Sequence, residues 1–227
     1  MTLHAIQKLT LIDYPEKLAC TLFLRGCNFR CPWCYSPELV NLNMERKVLE
    51  KELFSFLEER KGKLEGVVLC GGEPTINQEL LQLCSKIKNL GYEIKLDTNG
   101  SNPLLLRKLV SEKLIDYVAM DVKSPKERYS EAAGVVVDLD KIEQSICFLK
   151  KGNIDYEFRT TAHPLLKKQD IISIANWLKP AKKYYLQQFR PEKTLNPDFV
   201  NLKGLSEEEL LEIKDEISDF FEICDVR

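Results

Sequence analysis

The amino-acid sequence predicts an α/β fold with a parallel sheet, arranged as a partial (incomplete) TIM barrel of about six βα units. Segments with the pattern of a buried strand alternate six times with segments of helical periodicity, and the connections are short. Such a repeat forms a parallel sheet covered by helices. With 227 residues, the chain is also shorter than the roughly 250 residues that eight units usually need. A flat, doubly wound sheet is the structural alternative.

Apolar runs and 3.6-residue periodicity place each element in turn. The strands are predicted at 19–24, 66–70, 92–96, 117–122, 154–160 and 184–189. The helices are predicted at 48–60, 78–90, 103–111, 140–151, 170–178 and 206–220. Ser206 and Glu209 have the spacing of a capping box, which marks the start of the last helix. The first 18 residues are interpreted as an N-terminal segment, and the irregular stretch 190–204 as a candidate mobile loop.

The composition is that of an ordinary globular protein. Hydrophobic residues make up 44% and charged residues 30% of the chain, and the formal net charge is -2. These values exclude a disordered or fibrous protein and give no sign of binding to nucleic acid or an anionic membrane. No apolar stretch reaches the roughly 18 residues of a membrane-spanning helix, and the first residues lack the pattern of a signal peptide. We therefore expect a cytoplasmic protein with a single domain over residues 1–227.

Eight cysteines are unusual in a chain expected in the cytosol, where thiols stay reduced. Metal binding or catalysis then explains them better than disulfides do. Five of them are scattered among apolar neighbours and are expected to pack as small buried side chains. These are Cys20, Cys70, Cys84, Cys147 and Cys224. The other three lie within eight residues, a density that chance explains poorly.

Cys27, Cys31 and Cys34 have the spacing CxxxCxxC directly after the first predicted strand, in a loop over residues 26–36. Gly26 and Pro32 favour a loop because both interrupt regular structure. A structural zinc site uses four closed ligands, and a ferredoxin-type cluster also uses four cysteines. Three cysteines would leave one iron of a cubane cluster open to a substrate or cofactor, which is typical of a catalytic site. A non-enzymatic zinc or electron-transfer module is the less favoured alternative.

Polar or glycine-rich residues follow every predicted strand, at the edge where parallel α/β folds bind ligands. After the cysteine loop, these strand ends are Gly71-Gly72-Glu73-Pro74, Asp97-Thr98-Asn99-Gly100, Asp121-Val122-Lys123, Arg159-Thr160-Thr161 and Gln187-Gln188-Phe189-Arg190. Asp121 and Lys123 point to one face of a strand and fit a structural ion pair as well as a ligand site. His4 and His163 have no evident partner and are interpreted as surface residues.

Together these residues resemble the radical S-adenosylmethionine (SAM) superfamily, through CxxxCxxC after one strand and Gly-Gly-Glu-Pro after the next. The resemblance covers nearly the whole chain. Further motifs are similar to those of the glycyl-radical-enzyme activating proteins, in particular the branch associated with anaerobic ribonucleoside-triphosphate reductase. These motifs are Asp13-Tyr14-Pro15, Gly26-Cys27-Asn28, Leu96-Asp97-Thr98-Asn99-Gly100, Met120-Asp121-Val122-Lys123, Phe158-Arg159-Thr160-Thr161 and Gln187-Gln188-Phe189-Arg190-Pro191.

The resemblance implies a radical SAM oxidoreductase with one [4Fe-4S] cluster, three of whose irons would be held by Cys27, Cys31 and Cys34. The open iron would bind SAM. One electron from the reduced cluster would cleave SAM to methionine and a 5′-deoxyadenosyl radical, which would abstract hydrogen from a glycine of a partner glycyl radical enzyme. An external donor such as flavodoxin or ferredoxin would supply the electron, and the protein would position the reactants and exclude water.

The resemblance also implies contacts to SAM. Gly71 and Gly72 would meet the methionine moiety through backbone groups with Glu73 bracing the turn, and Trp33 and Tyr35 would lie near the adenine. The other implied cofactor-binding residues are Cys34, Asp97, Thr98, Asn99, Asp121, Val122, Lys123 and Arg159. In some relatives the positions of Asp97, Thr98 and Asp121 also help to bind a monovalent cation.

Three positions depart from the pattern of the activating proteins. Tyr35-Ser36 stand where relatives usually carry His-Asn, and Glu16 replaces a customary glycine. Phe189 stands roughly where the pyruvate formate-lyase activator has a cofactor-contacting histidine. These departures bear on the partner and on the contacts to SAM, and they leave the cysteine motif intact. The alternative function is a radical SAM enzyme that acts on a small molecule, because compact deazapurine synthases share the strand end at 121–125.

Overall fold

A computed structural model describes residues 3–40, 48–190 and 192–227. The strands of this part of the chain are β1 (Leu3–Thr10), β2 (Ala19–Leu24), β3 (Gly66–Gly71), β4 (Glu93–Thr98), β5 (Tyr117–Asp121), β6 (Asp155–Thr161), β7 (Ala181–Gln187) and β8 (Phe221–Val226). Its α-helices are α1 (Pro37–Val40), α2 (Glu50–Arg60), α3 (Leu80–Asn89), α4 (Pro103–Ser111), α5 (Tyr129–Ala133), α6 (Leu139–Lys151), α7 (Lys168–Leu178) and α8 (Glu207–Ile217). None of these helices has the length and apolar character that crossing a membrane requires.

The strands form one sheet in which their order is that of the chain, from β1 to β8. β2 pairs with β3, β3 with β4, β6 with β7 and β7 with β8, each in parallel. β1 is antiparallel to β2. The order runs from β1 to β8 without closing on itself. The predicted fold class is confirmed: a mostly parallel α/β sheet with the topology of a partial TIM barrel.

The six predicted strands correspond to β2 through β7, and the predicted helices to α2, α3, α4, α6, α7 and α8. The capping box of Ser206 and Glu209 forms as expected, with Ser206 Oγ accepting from Glu209 N at 3.2 Å. Residues 1–18, interpreted from the sequence only as an N-terminal segment, contain the additional strand β1. Register shifts on both sides of the stretch from Ala5 to Gln7 interrupt the alternation of β1 that would have marked it as a strand. The sequence did not predict β8, because none of its side chains is buried and it lacks the apolar run of the inner strands.

The described residues group into two compact units. The first comprises those of Met1–Asn28, Glu38–Thr98 and Leu104–Val118, and the second those of Phe29–Pro37, Asn99–Pro103 and Ala119–Arg227. β5 begins in the first unit and continues into the second. The single domain over residues 1–227 stays a prediction.

The Asp-Tyr-Pro segment is part of the core of the first unit. Tyr14 is buried and its ring lies 6.0 Å from that of Tyr117. A Cβ on Gly66 would come within 2.7 Å of the Tyr14 ring, so a glycine is needed at the start of β3. Asp13 accepts a hydrogen bond of 2.7 Å from Thr21 Oγ1 in β2. These contacts fasten the segment before β2 and thereby the strand that leads into the cysteine loop.

No disulfide joins any of the eight cysteines. Cys20 and Cys84 are fully buried, and burial raises the pKa of each thiol to about 12. They therefore stay protonated and pack as apolar side chains, as predicted. Cys147 is exposed, so the expectation of a packed side chain is wrong there. Its neighbour Ile146 takes the buried position on α6, and adjacent residues of a helix point about 100° apart.

Candidate functional site

The end of β3 packs against the backbone that precedes Cys27. Gly72 N donates to the Leu24 carbonyl at 2.9 Å, and Glu73 N donates to the Gly26 carbonyl at 2.8 Å. A Cβ on Gly71, which has φ +121°, would collide with Leu24, and one on Gly72 would collide with the Gly26 carbonyl. The two glycines are therefore needed for this close approach, which sets where the cysteine loop begins.

Glu73 is a buried carboxylate that connects the ends of two strands. It accepts hydrogen bonds from Thr75 N at 3.0 Å, from Thr75 Oγ1, and from Thr98 Oγ1 at 2.7 Å. Thr75 belongs to the short 3-10 helix Pro74–Ile76, and Thr98 ends β4. Glu73 therefore braces the turn after β3 and joins it to β4.

Asp97 forms a buried ion pair on β4. Lys95 Nζ lies 2.8 Å from Asp97 Oδ1, and the side chain of Lys95 is only 2% exposed. The two residues are separated by one position in the strand, so they share a face of the sheet. Lys95 thus supplies a positive charge directly at Asp97. The monovalent cation implied for this position stays a prediction.

In the second unit, Asp121 lies between two cations. Lys123 Nζ is 2.9 Å from Asp121 Oδ2, and Arg159 Nε is 2.8 Å from Asp121 Oδ1. Burial alone would raise the pKa of Asp121, but the charges of Arg159 and Lys123 outweigh it and hold that pKa well below its ordinary value. Burial would likewise lower the pKa of Lys123, and the Asp121 charge raises it instead. The three side chains therefore stay ionised near neutral pH.

Val122 and Asn99 form hydrogen bonds within the protein, Val122 through its backbone and Asn99 through its side chain. Val122 N donates to the Arg159 carbonyl at 2.8 Å, and the Val122 carbonyl accepts from Thr160 Oγ1 at 2.9 Å. The Val122 side chain is fully buried. Asn99 Oδ1 accepts from Ser101 N at 3.0 Å, which forms the turn before α4. A contact of these residues with a cofactor stays a prediction.

The part of the cysteine loop in the second unit is held by backbone hydrogen bonds. Cys34 N donates to the Cys31 carbonyl at 3.0 Å, which closes a turn. Asn196 N donates to the Pro32 carbonyl at 2.8 Å, and Leu195 N donates to the Cys34 carbonyl at 3.0 Å. The stretch predicted as a mobile loop is thus bonded to the cysteine loop, and its mobility stays a prediction. Pro191 of that stretch lies outside the described residues.

Trp33, between two of the cysteines, packs on a histidine that the sequence interpretation placed at the surface. His163 is fully buried, and its ring stacks on Trp33 with centroids 4.5 Å apart and planes inclined by 14°. His163 Nε2 lies 2.9 Å from the Lys123 carbonyl. The surface interpretation of His163 is therefore wrong. Its place directly after β6, the strand that carries Arg159, was the one available signal.

Tyr35 also has a defined partner. Its hydroxyl accepts a hydrogen bond of 2.7 Å from Arg190 N. Partial burial raises the pKa of Tyr35, so the phenol stays protonated. This contact links Tyr35, which follows the third cysteine of the CxxxCxxC motif, to Arg190 in the segment that follows β7.

The predicted cluster ligands are divided between the units. Cys27 is half-buried and belongs to the first, whereas Cys31, which is buried, and Cys34, which is half-buried, belong to the second. Within residues 3–40, 48–190 and 192–227, no group of three or more His, Cys, Asp and Glu side chains has the arrangement of a metal site. The assignment of the three ligands therefore stays a prediction based on their spacing.

Comparison with known proteins assigns the family. Residues 21–178 match the Radical SAM superfamily. A Methanocaldococcus jannaschii protein provisionally named as a glycyl-radical enzyme activating enzyme is 34% identical over 92% of this chain and 88% of its own length. The 7-carboxy-7-deazaguanine synthase of Aquifex aeolicus is 37% identical over 34% of each chain.

A solved structure supports the same fold. Streptococcus suis SuiB bound to S-adenosylmethionine aligns with a TM-score of 0.68 and 15% identity over 90% of this chain. The chain spans about half of SuiB, 51% of its length. The match over residues 21–178 and the identity with the M. jannaschii protein carry the assignment. This chain belongs to the radical SAM superfamily of enzymes, which use a [4Fe-4S] cluster and S-adenosylmethionine.

Proposed function

We propose that this chain is an activating enzyme that abstracts a hydrogen atom from a glycine of a partner glycyl radical enzyme. The observation that carries the proposal is the 34% identity, over 92% of the chain, with the M. jannaschii protein provisionally named for that activity. Anaerobic ribonucleotide reductase is the partner that the strand-end motifs favour. The reducing cytoplasm is the proposed location, with an external flavodoxin or ferredoxin as electron donor.

The residues of the chain suit both cofactors by their chemistry. Cysteine thiolates are the usual ligands of iron–sulfur clusters, and we assign this role to Cys27, Cys31 and Cys34. When bound, the cluster supplies the single electron that turns SAM into a source of a hydrogen-abstracting radical. The amide hydrogens of Gly72 and Glu73 are already bonded to the chain itself. Carbonyl oxygens of this turn would therefore meet the ammonium group of the methionine moiety.

The charged group of the second unit suits an anionic part of the cofactor. Lys123 and Arg159 carry two positive charges around the single carboxylate of Asp121. Arg159 also lies 3.9 Å from the buried carboxylate of Glu157, which Arg227 contacts at 3.3 Å. Three cations and two carboxylates therefore leave one positive charge in excess, which would favour the carboxylate of the methionine moiety. The flat, buried ring of Trp33 and the phenol of Tyr35 would lie near the adenine, where they would orient the cofactor and exclude water.

The cluster assignment is tested by anaerobic reconstitution followed by iron and sulfide analysis and by detection of 5′-deoxyadenosine. Cys27→Ala, Cys31→Ala and Cys34→Ala should each lose SAM cleavage. Cys84→Ala is the matched control, because Cys84 is buried on α3 and should affect packing only. If the three loop variants keep a full cluster and cleave SAM, the ligand assignment is wrong.

The partner is tested by incubating the reconstituted enzyme with SAM, a reductant and candidate glycyl radical enzymes from the same genome. We expect the EPR doublet of a glycyl radical, and its loss when the target glycine of the partner is replaced by alanine. An anaerobic ribonucleotide reductase should be among the substrates. If no glycyl radical enzyme of that genome gives the doublet while SAM is cleaved, the activating function is wrong.

A radical SAM enzyme for a small molecule is the second candidate. It is supported by the 37% identity over 78 residues with the A. aeolicus 7-carboxy-7-deazaguanine synthase. It predicts that a small molecule, without any protein partner, stimulates formation of 5′-deoxyadenosine. Membership of an enzyme family leaves the non-catalytic zinc or electron-transfer module without support.

A further inference from the structure

We propose that His163 is a positioning residue, which holds the indole of Trp33 and thereby fixes the turn from Cys31 to Cys34. The inference rests on the proposed ligand role of these cysteines. It concerns a residue outside the CxxxCxxC motif and outside the strand-end residues assigned to SAM. The contacts that carry it all lie in the second unit.

The first step is the stack itself. The rings of His163 and Trp33 are nearly parallel, inclined by 14°, with centroids 4.5 Å apart. Both are buried, at 0% and 5% exposure. Trp33 Nε1 has no hydrogen-bond partner among the described residues. Ring contacts, and not a hydrogen bond of the indole, therefore set the orientation of Trp33.

The second step is what fixes His163. The Lys123 carbonyl, 2.9 Å from His163 Nε2, can only accept a hydrogen bond. The hydrogen of the neutral imidazole must therefore be on Nε2, and this bond sets the direction of the ring. Burial lowers the pKa of His163 to about 4, and the nearby charges of Lys123 and Arg128 act in the same direction. The ring is thus neutral at pH 7.

The third step is that the same strand end also contacts the indole. Lys123 Nζ lies 5.1 Å from the centroid of the Trp33 ring, within the range of a cation–π contact. The ammonium group is itself fixed by Asp121 at 2.9 Å. Lys123 thus directs His163 through its carbonyl and contacts Trp33 through its side chain. The indole is therefore held from the segment that directly follows β5.

The consequence concerns the cysteines on both sides of Trp33. Trp33 is one residue before Cys34 and two after Cys31, within the turn closed by the Cys34 N to Cys31 carbonyl bond. Without the stack, this turn would keep its backbone hydrogen bonds to Leu195 and Asn196. It would lose the ring contact with His163 that orients the side chain of Trp33. We expect the two thiols to become less well placed for a shared cluster.

The test compares His163→Leu with His163→Phe. Both remove the hydrogen bond to the Lys123 carbonyl, but only phenylalanine offers a flat ring for the stack. A Trp177→Phe background leaves Trp33 as the only tryptophan of the chain, so its fluorescence can be followed in iron-free protein. His163→Leu should shift the emission to longer wavelength and increase quenching by acrylamide. His163→Phe, which keeps a flat ring but loses the bond that directs it, should lie between the background protein and His163→Leu.

A second measurement follows the transfer of iron from the reconstituted protein to a chelator. His163→Leu should lose iron roughly two- to tenfold faster, which is the range expected for one aromatic pair. His163→Phe should lose iron more slowly than His163→Leu, at a rate between that of the leucine variant and that of the unmodified protein. Ile213→Ala, which removes buried side-chain atoms on α8, controls for a general loss of stability and should leave Trp33 emission unchanged.

Equal behaviour of the leucine and phenylalanine variants in both measurements would overturn the inference. Failure of the proposed function is distinguishable, because it appears in the cysteine variants and in the glycyl-radical assay. If Cys31→Ala and Cys34→Ala keep a full cluster, the ligand assignment is wrong whatever the His163 variants do. If they lose it while His163→Leu matches His163→Phe, only the positioning role is wrong.

Discussion

Tyr35 and Phe189 stack on each other, with ring centroids 5.7 Å apart and planes inclined by 25°. Both residues depart from the pattern of the activating proteins, at positions far apart in the sequence. The structure shows that they form one contact, reinforced by the hydrogen bond from Arg190 N to the Tyr35 hydroxyl. The two departures therefore belong to a single contact, between the cysteine loop and the segment that follows β7.

This pairing predicts energetic coupling between the two positions. Tyr35→Ala and Phe189→Ala should each lower the free energy of unfolding, and the double variant should lower it by about 1 kcal/mol less than the sum. Tyr35→Phe is the control, since it keeps the ring and loses only the acceptor for Arg190 N. Urea unfolding of the four proteins measures the cycle. Additive losses would mean that the stack contributes nothing.

Gly72→Ala should move the start of the cysteine loop. The added Cβ would collide with the Gly26 carbonyl, and relief of such overpacking costs about 1–3 kcal/mol of stability. Gly91→Ala is the matched control, because Gly91 has φ +92° but open space around the added Cβ. Both variants should be less stable, but only Gly72→Ala should also lose iron uptake. Normal uptake by Gly72→Ala would contradict this prediction.

Thr98→Val should destabilise the chain through Glu73. Valine keeps the shape of threonine but removes the donor at 2.7 Å from the buried carboxylate. A buried acceptor that loses a partner costs about 1–3 kcal/mol. Thr98→Ser keeps the hydroxyl and should recover most of this loss. The loss is measured as the free energy of unfolding of the iron-free protein. Equal values for Thr98→Val and Thr98→Ser would show that the hydrogen bond from Thr98 to Glu73 does not stabilise the chain.

The stability of the iron-free protein should fall between pH 6.5 and about 4 because of His163. Burial is the largest cause that lowers its pKa from 6.5 to about 4. The hydrogen bond to the Lys123 carbonyl opposes this shift, the charges of Lys123 and Arg128 add to it, and the charge of Asp170 opposes it. The unfolded chain therefore takes up the proton first as the pH drops, so the contribution is complete above pH 6.5 and lost as the pH approaches 4. It amounts to at most about 3 kcal/mol. Urea unfolding at several pH values gives the free energy of unfolding as a function of pH. Between pH 6.5 and 4 this free energy should fall less steeply for His163→Phe than for the unmodified protein, and an equal fall would contradict the prediction.

Lys95→Met should destabilise the protein by about 3 kcal/mol, because it removes a buried positive charge that lies 2.8 Å from the largely buried carboxylate of Asp97. Lys108→Met is the surface control. Its pair with Glu112 is long, at 3.9 Å, and both side chains are about half exposed, so we expect a loss below about 0.5 kcal/mol. If added potassium restores the stability of Lys95→Met, Asp97 can accept a monovalent cation. Equal losses of unfolding free energy in the two variants would show that the buried pair of Lys95 and Asp97 stabilises the protein no more than a surface pair does.

Local signals predicted the elements that carry the site. β2 and β3 are short apolar runs that end in a glycine or in the cysteine loop, so both strands and their chemically distinctive ends were readable. The bracing role of Glu73 was implied by the resemblance to the radical SAM superfamily and not by a local signal. Its partner Thr98 could not be predicted in the same way. Thr98 lies on the neighbouring strand β4, so its contact with Glu73 depends on the order of the strands in the sheet.

The features that were missed depend on contacts between distant segments. Nothing near His163 in the sequence indicates Trp33, because the two meet only when the cysteine loop and the end of β6 fold together in the second unit. Lys95 differs, because its partner Asp97 is only two residues away on the same strand, but a lysine within a strand is usually exposed and its burial was therefore not expected. Cys147 failed for another reason, since its apolar neighbours in sequence are not its neighbours on the surface of α6.

The exposed thiol of Cys147 is a site for selective labelling of this protein with a thiol-reactive dye. It is the only cysteine of the eight whose side chain is exposed, and it lies on α6, away in sequence from the CxxxCxxC motif. A maleimide dye should therefore couple there first and leave the buried thiols of Cys20 and Cys84 untouched. Energy transfer from this dye to a labelled glycyl radical enzyme, the proposed partner, would test whether the two proteins associate, whether or not a radical is formed.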